Sequence, residues 1–162
     1  MGQVPVLSQG DMNLAQSMAI LEYLEELCPA PALLPKDIIQ RAMVRQLAET
    51  INSGTQPLQN LRALRHLRQH HNQSEEDTKK WAAHWIQIGL EAFQRSCDKV
   101  SGRYSLGDDV TFADLCLVPQ LYNARRFGTP MDAFAQLTRI EARLNELAAF
   151  QAAHPDQQPD AP

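Results

Sequence analysis

Residues 29–35, PAPALLP, place three prolines in seven positions. No helix runs through such a stretch, because each proline lacks an N–H donor and its ring clashes with the preceding turn. The segment divides the chain into two parts of different character. Ahead of it, Val4-Pro5-Val6-Leu7 reads as a short strand, Gly10-Asp11 as a turn and Met12 to Ala15 as a second strand. Gln16-Ser17 then opens a helix, with Ser17 as N-cap and helical periodicity from Met18 to Leu24. Behind the prolines everything is helix-forming. The expected organisation is a β-β-α unit at 1–28, a linker at 29–36 and an all-α domain at 37–162, a mainly α fold.

Within the helical part, punctuation sets the boundaries. Asp37 caps a helix whose stripe of Ile38, Met43, Val44, Leu47 and Ile51 closes near Gly54. Pro57 suits the first turn of the next helix, which carries Leu58, Leu61, Leu64 and Leu67 and runs out at His70-His71-Asn72. Ser74 and Asp77 resemble a capping box ahead of a long helix bearing Trp81, Trp85, Ile88, Leu90 and Phe93. Thr111 and Asp114 repeat that box ahead of a helix apolar nearly all round, which should be central and buried; Pro119 inside it predicts a kink. A last helix, from Phe134 to Leu147, precedes a polar tail.

Composition excludes several function classes. Net charge is −4, so no global basic surface invites nucleic acid or anionic membrane. No apolar run approaches the ~20 residues of a transmembrane helix, and no signal-peptide pattern opens the chain. Cys28, Cys97 and Cys116 lack metal-ligand spacing and read as reduced core residues of a cytoplasmic protein.

Three groups of residues could carry chemistry. A proline in a strand marks an edge or bulge, or follows a cis bond. A cis bond before Pro5 would turn the Val4 backbone outward, ready to pair with a peptide-like ligand. Gln16 and Ser17 offer an amide, a hydroxyl and free backbone N–H groups at a helix start, which suit a carboxylate; the plainer reading of Ser17 is a cap. The run LRALRHLRQHH, residues 61–71, gathers Arg62, Arg65, His66, Arg68, His70 and His71. Its leucines face inward, so the basic residues form a solvated face. Steering of an anionic ligand is the alternative, and a His66–His70 metal pair lacks a third ligand nearby. Arg125 and Arg126 close the apolar helix, where cations suit the dipole. Arg126, beside Phe127, could instead clamp a substrate carboxylate.

The segments QVPVL, AQS, MAILEYLEE, LLPKD, QPLQNLR, VTFADLCLVPQLYNARRF and AFQAAHPDQQPDAP together resemble the zeta-class glutathione transferases. The resemblance implies a glutathione-transferase C-terminal all-α domain preceded by the C-terminal β-β-α remnant of a thioredoxin-like domain, with Pro5 as its cis proline. It also implies an enzyme with glutathione as cofactor. The expected activity is cis–trans isomerisation of maleylacetoacetate to fumarylacetoacetate, in tyrosine and phenylalanine catabolism. By resemblance, Val4 pairs with the cysteinyl backbone of glutathione, and Gln16 and Ser17 take its γ-glutamyl end. Gln56, Asn60, Leu61 and Arg62 complete that site from the helical side, and Arg126 binds a substrate carboxylate. Maleylpyruvate and α-halo acids are other substrates such a site could accept, and a homodimer is the usual assembly.

The chain departs from the family in one large respect. The family begins with a β-α-β-α unit bearing a serine–cysteine motif that stabilises the glutathione thiolate, and no such motif precedes Val4 here. The expectation is a chain whose helical part folds, whose hairpin frays and whose own isomerase activity is low. A non-catalytic glutathione-transferase-like binding module is the competing expectation. A smaller departure, Ala133-Phe134-Ala135-Gln136, replaces a proline-bearing turn.

Overall fold

Pro5 cannot donate to a strand ladder, and pairing accordingly begins after it. In a computed structural model, which describes residues 4–159 and 161, strand β1 is Val6–Gln9 rather than Val4–Leu7, and the Val4–Pro5 bond is cis. β1 runs antiparallel to β2, Met12–Ala15, with Val6 opposite Ala15 and Gln9 opposite Met12. Gly10 supplies the positive φ of the turn, at +56°.

Helix α1, Ser17–Leu27, follows β2 after a single residue. Ser17 is therefore its first helical residue and not its cap. Gln16 holds the corner at φ +78°, and its side chain makes no capping bond. The helix stops where the prolines start, which leaves Cys28 exposed and not in the core, whereas Cys97 and Cys116 are buried. α1 buries Ile20 and packs Met18 and Leu21 against the core of the helical part. Two carboxylates add polar ties. Glu22 takes both arms of Arg45, at 2.6 and 3.0 Å, and Glu25 accepts from the backbone N–H groups of Leu33 and Leu34.

Helix α2, Ile38–Asn52, is capped by Asp37, whose carboxylate accepts from the N–H groups of Ile39 and Gln40. Val44, Leu47, Ala48 and Ile51 form its buried stripe. Ile38 and Met43 fall outside it, Ile38 because it lies in the first turn, before the helix meets the core. The single helix expected after Pro57 is two. α3, Gln56–Gln59, ends at Asn60, whose backbone is extended, and α4, Leu61–His70, starts afresh there. The Asn60 side chain caps α4 by accepting from Arg62 N–H at 3.0 Å. The restart rotates the leucine pattern, so Leu64 is buried while Leu61 is exposed.

Helix α5, Glu75–Cys97, begins with the Ser74–Asp77 capping box and buries Leu90 and Phe93, while Trp81 and Ile88 stay partly exposed. Helix α6, Phe112–Phe127, is the centre of the core, with Phe112, Leu117, Leu121 and Ala124 inaccessible. Its first turn is fixed by Asp114, a buried carboxylate that accepts from Ser105 N–H, Thr111 N–H and the Thr111 hydroxyl. Burial pushes this carboxyl above the usual range against the opposing pull of those donors. Pro119 lies inside α6, on its exposed side.

The last expected helix also divides. A 3-10 turn at Asp132–Phe134 buries Phe134, and α7 (Ala135–Leu144) and α8 (Ala148–Ala152) follow. Arg125 pairs with the largely buried Glu141 of α7 at 2.5 and 2.6 Å, so it cross-links two helices and does more than suit a dipole. No helix of the described residues is long and apolar enough to cross a membrane.

Candidate functional site

The site is built around α3, a helix of four residues that three ties hold in place. At its front, Thr55 sits against α5 where Gly89 has no side chain; a Cβ there would come within 2.0 Å of the Thr55 hydroxyl. Along its length, the Trp81 indole N–H donates to the Leu58 carbonyl at 2.9 Å. At its end, the buried Gln59 and Gln120 amides bond to each other, with the Gln59 Nε2 to Gln120 Oε1 distance at 2.6 Å. Each amide is satisfied by the other, so neither buried polar group is left unpaired.

Anchored this way, α3 and the start of α4 face the hairpin across a cleft of about 1060 Å³. Its wall comes from separate stretches of chain. The strand side gives Val4, Pro5, Val6 and Ala15, and the α1 start gives Gln16 and Ser17. α2 ends in it with Asn52 and Ser53, and the α3–α4 side gives Gln56, Pro57, Asn60, Arg62, Ala63 and His66. The volume is at the upper end of ordinary ligand clefts, roughly 300–1,000 Å³.

The structure thus brings together six of the residues expected from sequence: Val4, Gln16, Ser17, Gln56, Asn60 and Arg62. Leu61 is exposed and does not line the cleft, and Arg126, exposed at the end of α6, does not line it either. Sequence reasoning missed Asn52 and Ser53, and read His66 mainly as part of a solvated basic face. Asn52 and Ser53 had a weak signal in the helix end before Gly54. His66 had a better one, since it stands four residues after Arg62 and so shares its face of α4.

Asn52 and Ser53 bond Glu49, but the other polar side chains of the wall have groups to spare. The Asn60 carbonyl oxygen is spent on capping α4, which leaves its amide N–H₂ for a ligand. Gln16, Ser17 and Gln56 have no side-chain partner among the described residues. Gln16 stands at φ +78°, a conformation that costs a non-glycine residue roughly 1–3 kcal/mol and is concentrated at functional positions. Among the described residues, Arg62 and His66 are the lining side chains able to carry charge, and both charges are positive. The arrangement suits an extended anionic ligand with peptide-like groups. The buried thiols are elsewhere, and burial pushes Cys97 and Cys116 up to about 12, which keeps them protonated and unreactive. No set of three His, Cys, Asp or Glu converges as a metal site among the described residues.

Known proteins give the same picture. Residues 1–26 match the glutathione S-transferase N-terminal domain family. The whole chain is 45% identical to a Drosophila melanogaster protein named probable maleylacetoacetate isomerase 2, and spans 69% of its length. It superposes on the maleylacetoacetate isomerase of Anaeromyxobacter dehalogenans with a TM-score of 0.92 and 52% identity, covering 100% of this chain and 76% of the other. That protein was crystallised with glutathione in its active site. A bacterial maleylpyruvate isomerase, described as a zeta-class glutathione transferase, aligns with a TM-score of 0.95 and 40% identity over 99% of this chain and 76% of its own. With this identity over its full length, and this fold, the chain belongs to the maleylacetoacetate isomerase family of zeta-class glutathione transferases.

Proposed function

We propose that this chain forms the cleft of a glutathione-dependent cis–trans isomerase acting on maleylacetoacetate. The chain divides into a unit at 1–28 and a unit at 37–162 joined by a linker at 29–36, and described residues of both units line the cleft. The observation that carries the reading is the convergence of Val4, Gln16, Ser17, Gln56, Asn60 and Arg62 on one cleft from distant parts of the chain. The relatives support it, since one named for this reaction holds glutathione in its active site.

The residues present fit the cofactor. The cleft offers the Val4 backbone ahead of the cis bond, unpartnered N–H groups at the start of α1, amides at Gln16, Gln56 and Asn60, and a guanidinium at Arg62. Among the described residues, no carboxylate lines the wall to repel an anion. Bound glutathione supplies a thiolate, whose reversible addition to an activated double bond permits rotation about it.

The chain's own part is to bind and orient. Val4 meets the cysteinyl backbone, and Gln16 and Ser17 hold the γ-glutamyl carboxylate with help from the α1 dipole. Gln56, Asn60 and Arg62, with Leu61 beside them, close the site from the helical side. Arg126 has no ion-pair partner among the described residues, which leaves it free for a substrate carboxylate. A cytoplasmic homodimer belongs to the same reading. Leu24, Leu27, Ile38 and Ile39 are exposed apolar side chains of the kind subunit contacts cover.

The test has two parts. Calorimetric titration should show glutathione binding, weakened about tenfold or more in Ser17→Ala and in Arg62→Ala, as loss of a charge-assisted contact would do. Conversion of the cis to the trans diacid should then require glutathione. Binding without turnover would replace the enzyme reading by that of a glutathione-binding module. Absence of both would remove the proposal. Comparing kcat/KM for maleylacetoacetate and maleylpyruvate selects between the substrates named for the relatives.

A further inference from the structure

Among the described residues, His66 is the one cleft-lining side chain whose charge can change near neutral pH, since its only charged companion on the wall is Arg62. We infer that His66 is a specificity-determining contact for a carboxylate of the substrate, so that the cleft's preference for a multiply charged ligand is set by pH. The inference rests on the glutathione-cleft reading above and names a residue that reading does not use.

The geometry supports this in three ways. His66 follows Arg62 by four residues on α4, so both side chains leave the same face of that helix and both reach the cleft. Val4, Gln16 and Ser17 are on the opposite wall, and His66 lies one turn beyond Arg62, the last residue on the helical side that the glutathione reading uses, which leaves the imidazole to the second reactant. The imidazole is also one of three neighbouring rings, 4.6 Å from the tilted His70 ring and 5.3 Å from that of His71, which it meets edge-on. All three rings are exposed, so the imidazole borders both the cleft and solvent.

The titratable groups around His66 lie mostly outside the cleft. On α4 itself the charged and titratable groups are Arg62, Arg65, Arg68 and His70, with His71 just past its end. α3 carries no titratable side chain, and the hairpin and α1 start bring only Val4, Pro5, Val6, Ala15, Gln16 and Ser17 to the cleft. α2 contributes Asn52 and Ser53, with Glu49 behind them held by both. α5 packs on α4 with its own groups, Glu75, Glu76, Asp77, Lys79, Lys80 and His84, outside the cleft wall.

The experiment compares two ligands on the full chain. Glutathione and dicarboxyethyl glutathione, the second of which the Anaeromyxobacter dehalogenans isomerase also binds in its active site, share the tripeptide. The conjugate adds two carboxylates at the sulfur. Dissociation constants are measured by calorimetry across the imidazole range, for wild type, His66→Gln and His66→Lys. In wild type, acidification should raise the preference for the dicarboxyethyl conjugate by about three- to fivefold, the size of one solvent-exposed ion pair. The preference should be flat and low in His66→Gln, and flat and high in His66→Lys, while glutathione alone binds all three proteins equally. An unchanged pH response in His66→Gln overturns the inference. An equal pH response for both ligands also overturns it, because the carboxylate involved would then belong to glutathione. If wild type binds neither ligand at any pH, the cleft reading itself fails and the assignment of His66 fails with it.

Discussion

The two walls of the cleft are held by different forces. In the helical wall, Phe93, Phe112, Leu117 and Leu121 are wholly inaccessible, and α6 alone buries eight side chains. In the strand wall, Leu7 and Leu14 are the only β-strand side chains even partly buried, and Val6 is 51% exposed. That wall is positioned by α1, through Ile20, Met18 and Leu21 and the carboxylates of Glu22 and Glu25. Stability therefore resides on one side of the site. The other supplies Val4, Gln16 and Ser17 to the cleft wall, and mutations should separate the two properties.

The largest contrast should come from truncation in the core. Phe93→Ala is expected to cost about 3–5 kcal/mol in a urea melt, whereas Val6→Ala stays within about 0.5 kcal/mol. Similar costs for the two would abolish the distinction between the walls. Next is Asp114→Ala, expected to cost about 2–4 kcal/mol, because the buried N–H groups of Ser105 and Thr111 lose their acceptor. Asp114→Asn should recover part of that loss, since one oxygen remains.

A substitution that bears on both walls comes third. Gly89→Ala drives a methyl into Thr55, which precedes α3, and should cost about 1–3 kcal/mol. It should also weaken glutathione binding at temperatures where the protein is still folded. An effect on stability with binding untouched would show that α3 is not positioned through Thr55.

The smallest effect concerns the tie between walls. The Arg45 guanidinium beside Glu22 holds its carboxyl below the usual carboxylate range, and it does so against a modest opposing effect of burial. A carboxyl with a lowered folded-state pKa stabilises the fold above its unfolded pKa, and that contribution disappears as pH falls through the folded value. The pair is partly exposed, so its worth is at most about 1 kcal/mol. Hydrogen exchange in α1 should rise on acidification through that range, more in wild type than in Glu22→Gln. Equal acid sensitivity of both proteins would show that Glu25 and the apolar contacts carry the docking.

Much of this arrangement is legible in the chain. The prolines of 29–35 mark where α1 stops, and the caps at Asp37, Ser74 and Thr111 mark where α2, α5 and α6 start. These signals are local, each cap resting on a side chain bonding a backbone group within three residues. Six cleft residues also stand out through their motifs. What the chain does not show is longer in range. Asn60 resembles an interior helical residue until its backbone is seen to be extended, and that break is what takes Leu61 out of the core. Arg125 reads as a solvated cation because Glu141 lies sixteen residues away on another helix.

Fold class and the main helix starts follow from the chain alone, because periodicity, capping and proline placement act over a few residues; the family follows from the resemblance of its motifs. Which polar side chains face each other was settled by tertiary packing: Gln59 with Gln120, Glu22 with Arg45, and Arg62 with His66 across from Gln16. Those pairings depend on how helices rotate and restart as they bury apolar area, and a shift of one position in a helix turns a side chain by about 100°.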